Sequence, residues 1–139
     1  MGNIQERRHF TIGEEATLTK VITDDDILMY SRITGDLNPV HVNEEYAKGT
    51  GFGGRIAQGM LVAGFISSLL GTVLPGPGSI YMSQQLRFLA PVKPGDSVKA
   101  RVKVTDWAPE KGVIKLLTEV INQDNIPVIT GTAHLSIPS

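Results

Sequence analysis

Hydrophobic and polar positions alternate most regularly over residues 97–105, where Val98, Ala100, Val102 and Val104 interleave with Ser97, Lys99, Arg101, Lys103 and Thr105. A period of two with one apolar side predicts a strand that is buried on one face and wet on the other. Three further runs have strand character: residues 79–89, 113–122 and 126–137. They are punctuated by Pro91-Val92-Lys93-Pro94-Gly95-Asp96, Glu110-Lys111-Gly112 and Gln123-Asp124-Asn125, short loops of the kind that join antiparallel neighbours. Upstream, residues 16–22 predict one more strand.

Between the first strand and the last four, the period changes. Thr23 followed by Asp24, Asp25 and Asp26 reads as a helix N-cap with acids at the positive helix end, and Ile27, Leu28, Tyr30, Ser31 and Ile33 continue that helix. Residues 56–74 are apolar over nineteen positions, close to the roughly 20 needed to span a bilayer. Gln58, Gly59, Gly64, Ser67, Ser68, Gly71 and Thr72 interrupt the run, and apart from Arg55 no basic or aromatic residue anchors its ends. The expectation is therefore no membrane span but a helix that protein covers all round, with small residues letting a sheet approach closely. A strand, two short helical pieces, a long apolar helix and four antiparallel strands describe an α+β layer, one sheet curled around one helix. With no internal repeat or low-complexity linker, residues 1–139 are read as one domain.

Composition narrows the partners. The chain has 139 residues and no cysteine, which removes disulfides, thiolate metal sites and cysteine nucleophiles together. Thirteen basic residues against fourteen acidic ones, net charge −1, form no run able to track a phosphate backbone, so nucleic acid is not an expected partner. Residues 1–15 are polar and mixed in charge without an apolar signal core, and a cytoplasmic protein is expected.

The candidate chemistry lies in Gly35-Asp36-Leu37-Asn38-Pro39-Val40-His41. A carboxylate and an imidazole five positions apart would diverge on a continuous helix, but Pro39 drives Asn38 out of the helical region, and a turn is able to aim both at one point. Taken alone, Gly35-Asp36 and Asn38-Pro39 are also ordinary turn formers, and His41 an ordinary structural histidine. His9 and His134, away from any motif, are read as structural or surface residues. Asp36 and His41 by themselves are too few to hold a metal. Gly49-Thr50-Gly51-Phe52-Gly53-Gly54 satisfies G-x-G-x-x-G formally, but it follows no strand and has no acid about 20 residues on, so it is read as a loop. No G-x-S-x-G elbow is present for a serine hydrolase.

Four blocks, G-D-L-N-P-V-H at 35–41, Q-G-M-L at 58–61, S-I-Y at 79–81 and R-F-L-A-P-V-K-P-G-D at 87–96, resemble the R-specific enoyl-CoA hydratases of the MaoC-like hot-dog family. The resemblance is strong over about residues 23–107. It implies a hot-dog fold and reversible syn addition of water to a trans-2-enoyl-CoA, giving the (R)-3-hydroxyacyl-CoA, with no cofactor or metal. It implies a water held between Asp36 and His41, and a homodimer with one continuous sheet and sites near the interface. The backbone N–H of Gly59, opening the long helix, is the candidate donor to the thioester oxygen, since helix N-termini present free N–H groups and glycine admits close approach. Asn38, Ser67 and Gln58 are possible supporting residues. At Gln58 the chain departs from the histidine common in the family, replacing a titratable ring with an amide expected to support loop geometry. Two other classes stay open: a dehydratase acting on acyl carrier protein thioesters, and a silent or thioesterase-like acyl-thioester binder. Arg87, Lys93, Lys99, Arg101 and Lys103 are candidates for a basic rim that would receive either carrier, or simply a solvated face.

Overall fold

A computed structural model describes residues 8–139. The elements run β1 (Glu15–Val21), α1 (Asp24–Thr34), α2 (Pro39–Val42), α3 (Glu44–Lys48), α4 (Gly59–Thr72), β2 (Ile80–Phe88), β3 (Ser97–Ala108), β4 (Val113–Asn122) and β5 (Pro127–Ser136). The strands form one antiparallel sheet in the order β1-β3-β4-β5-β2, with β1 and β2 at the edges. The expected alternation in β3 is realised: Val98, Ala100, Val102 and Val104 are buried. Ile114, Leu116 and Val120 of β4, with Ile129, Ala133 and Leu135 of β5, continue that face, and α4 lays Val62, Ala63, Ile66, Leu69 and Leu70 against it.

The long helix is shorter than the apolar run suggests. Gln58 is its N-cap with extended backbone, and Ala57 is held outside it by a hydrogen bond from its N–H to the Val92 carbonyl at 2.7 Å. Nor is it covered all round within the chain, for Met60, Gly64, Ser67 and Ser68 are exposed, the first three lining an open cavity beside β2. Its interior glycines do not serve close packing, because a Cβ at Gly64 or Gly71 would meet nothing within 4 Å. The tightest approach is at Gly131 in β5, where a Cβ would lie 1.9 Å from the Gln85 carbonyl oxygen. Without one, the Gln84 side chain crosses β5 and donates to the hydroxyl of fully buried Thr118 at 3.0 Å, satisfying a polar group the core would otherwise strand.

β3 extends past the expected end to Ala108 through a bulge between Val104 and Asp106. Between α1 and α4 two single-turn helices, α2 and α3, follow one another, capped by Asn38 and Asn43 respectively. The glycine-rich loop follows α3, a helix rather than a strand, and leads into the extended approach to α4. Among the described residues no helix is long and apolar enough to cross a membrane.

Candidate active site

The motif at 35–41 is built by consecutive local hydrogen bonds. Gly35 takes up φ 77°, a left-handed conformation that suits glycine, and closes α1 with its N–H donating to the Ser31 carbonyl at 2.9 Å. Asp36 Oδ1 then accepts from the Asn38 N–H at 3.1 Å, and Asn38 Oδ1 caps α2 by accepting from the Val40 N–H at 3.3 Å. Asn38 is therefore occupied in shaping the turn that carries His41. The half-buried Asp36 keeps a second carboxylate oxygen that accepts no hydrogen bond among the described residues.

His41 is buried, and its Nδ1 lies 2.8 Å from the Ile56 carbonyl oxygen. A carbonyl oxygen only accepts, so Nδ1 carries a proton, which leaves Nε2 as the ring nitrogen free to accept or donate in the cavity. This ring lines a cavity of about 480 Å³ with Phe52, Gly59, Phe88 and Val92, within the size range of small-molecule sites and overwhelmingly apolar. Gly59 is the first residue of α4, and among the described residues its N–H has no hydrogen-bond acceptor. The positive end of a fourteen-residue helix thus opens into the cavity that His41 lines. The glycine has a further steric reason: a Cβ there would meet the Phe88 ring at 2.6 Å.

The structure brings His41 and Gly59 to one cavity, while Asp36 and Asn38 stand at the turn ahead of α2, outside its lining. Ser67 is separate. It is exposed, its hydroxyl bonds nothing among the described residues, and it lines a neighbouring cavity of about 590 Å³ with Tyr81, Gln84 and Leu86. Met60 and Phe88 form the wall common to both cavities. Burial raises the Tyr81 phenol above its ordinary pKa, and its hydroxyl donates to Gln84 Oε1.

Gln58 joins two helices. Its buried Nε2 donates to the Ile27 carbonyl at 3.0 Å and the Ser31 hydroxyl at 2.8 Å, tying the start of α4 to α1. Its Oε1 finds no partner among the described residues. Sequence reasoning passed over Arg55, which forms ion pairs with Asp24 and, at 3.0 Å, with Glu44. An arginine three residues before a helix N-cap gives no signal of that reach. The expected basic rim is largely dispersed. Lys99, Arg101 and Lys103 project from the sheet face opposite α4, and Arg101 is engaged by Glu15 and Glu119. Of those candidates Arg87 and Lys93 are next in sequence to lining residues of the cavity, Phe88 and Val92.

Comparison with known proteins decides the family. The MaoC like domain family matches residues 8–125. The chain belongs to the MaoC-like family. An (R)-specific enoyl-CoA hydratase of Rhodospirillum rubrum is 48% identical over 127 residues, covering 91% of this chain and 88% of that protein. A 3-hydroxybutyryl-CoA dehydratase of Methylorubrum extorquens is 42% identical, covering 91% of this chain and 80% of its own length. Among solved structures, the (R)-hydratase from A. caviae involved in PHA biosynthesis superimposes with a TM-score of 0.90 at 36% identity, covering 93% of this chain and 98% of that one. The fold is accordingly the hot-dog arrangement of the MaoC-like proteins, sheet around helix.

Proposed function

We propose that this chain is an R-specific enoyl-CoA hydratase, adding water reversibly and syn across a trans-2-enoyl-CoA to give the (R)-3-hydroxyacyl-CoA. The observation that carries the reading is the His41 ring, held with a proton on Nδ1 in an apolar cavity that also receives the free N–H of Gly59. A water that donates one O–H to the Asp36 carboxylate and the other to His41 Nε2 directs its lone pair at C3 of the substrate. As the C3–O bond forms, the proton it loses passes through the pair to C2 on the same face, so no atom is left over. Asp36 binds and activates the water; His41 shares it and relays the proton. The charge that develops on the thioester oxygen is met by the Gly59 N–H, a type of interaction worth on the order of 3–4 kcal/mol.

The reading includes a cytoplasmic homodimer. The β1 edge carries Lys20 and exposes one large apolar side chain, Val21, whereas the β2 edge exposes Ile80, Tyr81, Met82 and Phe88, the last three lining the Ser67 cavity and Phe88 the His41 cavity as well. An unpaired apolar edge of that kind favours pairing with a second copy, which light scattering tests.

The decisive assay follows crotonyl-CoA loss by ultraviolet absorbance at neutral pH, with chiral analysis of the product. Asp36→Asn and His41→Ala are each expected to lower turnover by about 10²–10⁴ while remaining folded. An inert wild type, or two folded variants with near-normal turnover, would sink the assignment. Activity confined to carrier-protein thioesters would transfer the chain to the dehydratase class.

A further inference from the structure

His41 is carried by a helix of one turn, Pro39–Val42, which is too short to hold its own orientation. Its position is imposed from outside, by residues 55 and 56. The Ile56 N–H donates to the Val40 carbonyl at 3.1 Å, and the Ile56 carbonyl accepts from His41 Nδ1 at 2.8 Å. Arg55 adds a contact from the other side: its Nη1 donates to the His41 carbonyl oxygen at 3.4 Å, a long bond that would count for little on a mobile side chain. This side chain is also held at its other donors. Only 15% of its surface is accessible, its Nε is held by Glu44 at the start of α3, and its Nη2 by Asp24 in the first turn of α1.

Two carboxylates against one guanidinium offset the cost of withdrawing that cation from water. The Glu44 hydrogen bond, and behind it the one to Asp24, raises the Arg55 pKa further, so the clamp stays charged at any working pH. The fork of donors in a guanidinium reaches α1, α2 and α3 at once; a lysine ammonium, a point charge on a flexible stem, lacks that spread.

We infer that Arg55 is a positioning residue for the reaction: anchored by Asp24 and Glu44, it braces α2 so that the His41 ring keeps its bond to the Ile56 carbonyl and its Nε2 faces the cavity. The inference rests on the hydratase reading only for its kinetic consequence. A surface ion pair serving stability alone would leave the histidine tautomer and the turnover per folded molecule untouched, and this separates the two roles.

The test compares intact wild type with Arg55→Met and Arg55→Lys by two measurements. Long-range proton–nitrogen NMR of the His41 ring is expected to show the Nδ1–H form in wild type and a tautomer mixture in Arg55→Met. Steady-state kinetics on crotonyl-CoA is expected to show kcat reduced about 10- to 100-fold with KM within about two-fold, and Arg55→Lys recovering only part of it. Should Arg55→Met fail to fold, Arg55→Lys carries both measurements. A folded Arg55→Met with the wild-type ring signature and wild-type kcat overturns the inference, as does a loss of rate that merely follows the folded fraction. An inert wild type would instead overturn the hydratase reading, and the ring spectra would still decide the role of Arg55.

Discussion

In the sheet, a position is fixed by its neighbours on two strands and by the apolar face beneath it: Leu116 pairs with Val104 and Ala133, is fully buried, and faces α4 with the rest of the core. Residues 35–59 are fixed differently. Their stretch contains two single-turn helices and few fully buried apolar side chains, and its shape comes from named polar contacts, Asp36 to Asn38, Asn38 to Val40, His41 to Ile56, Gln58 to Ser31 and Arg55 to Glu44. Apolar burial is summed over many contacts and tolerates the loss of one direction; a hydrogen bond is directional and its loss turns a side chain. Damage to the sheet should therefore appear first as lost stability, and damage to the connection first as lost turnover.

The largest effect expected on the sheet side comes from Gly131→Ala. The added methyl would fall on the Gln85 carbonyl and on the path of the Gln84 side chain, costing overpacking strain and leaving the Thr118 hydroxyl unpaired. Together these should remove roughly 2–5 kcal/mol of stability in urea unfolding. Turnover per folded molecule should stay close to wild type, because neither Gly131 nor Gln84 lines the cavity that holds His41. A large loss of turnover in a fully folded Gly131→Ala would break the division.

Gln58 tests the boundary from the other side. Gln58→Leu removes the bonds to Ile27 and Ser31 but also removes an oxygen that is buried without a partner, so the two terms oppose each other. The net loss of stability should be about 1 kcal/mol. Adding Ser31→Ala should return most of it, since the stranded hydroxyl goes too. Turnover should fall in the single variant and stay low in the double one, because α1, which leads into Asp36, is no longer tied to the residue before Gly59. Recovery of both quantities together would show that the tether has no part in catalysis.

The same division explains what was legible in the sequence. The alternation of β3 and the turn clusters around it announced the sheet, because a strand writes its two faces into successive residues. The 35–41 turn was legible as well, since Gly35, Asn38 and Pro39 are residues whose backbone preferences act within two or three positions. What escaped was long-range: that Arg55 reaches Asp24 and Glu44, that Ser67 opens onto a different cavity from His41, that Gly131 in β5 rather than Gly64 or Gly71 of α4 marks a tight approach. Each depends on which elements become neighbours, which no local pattern records. The opening of α4 at Gly59 was legible, but not its cause: Ile56 and Ala57 continue the apolar run yet are drawn out straight by bonds to Val40 and Val92.

The smallest expected effect lies where α1 begins, beyond the connection and outside the core. Thr23 and Asp26 form a reciprocal cap, the Thr23 hydroxyl accepting from the Asp26 N–H at 3.1 Å and Asp26 Oδ2 from the Thr23 N–H at 3.0 Å. That backbone hydrogen bond holds the Asp26 carboxyl below its usual range. A depressed folded-state pKa means stability that is present above the ordinary carboxylate value and lost as pH falls through the folded one. Asp26→Asn retains an acceptor but loses the charge facing the positive helix end. For a solvent-screened group it should cost about 0.5 kcal/mol near neutral pH. As pH drops below about 4, wild type should lose this advantage and the two urea curves should converge. Turnover at neutral pH should be unchanged, although Asp24 two residues earlier anchors Arg55; a fall in turnover would mean that the start of α1 is coupled to His41 more tightly than a capped helix end requires.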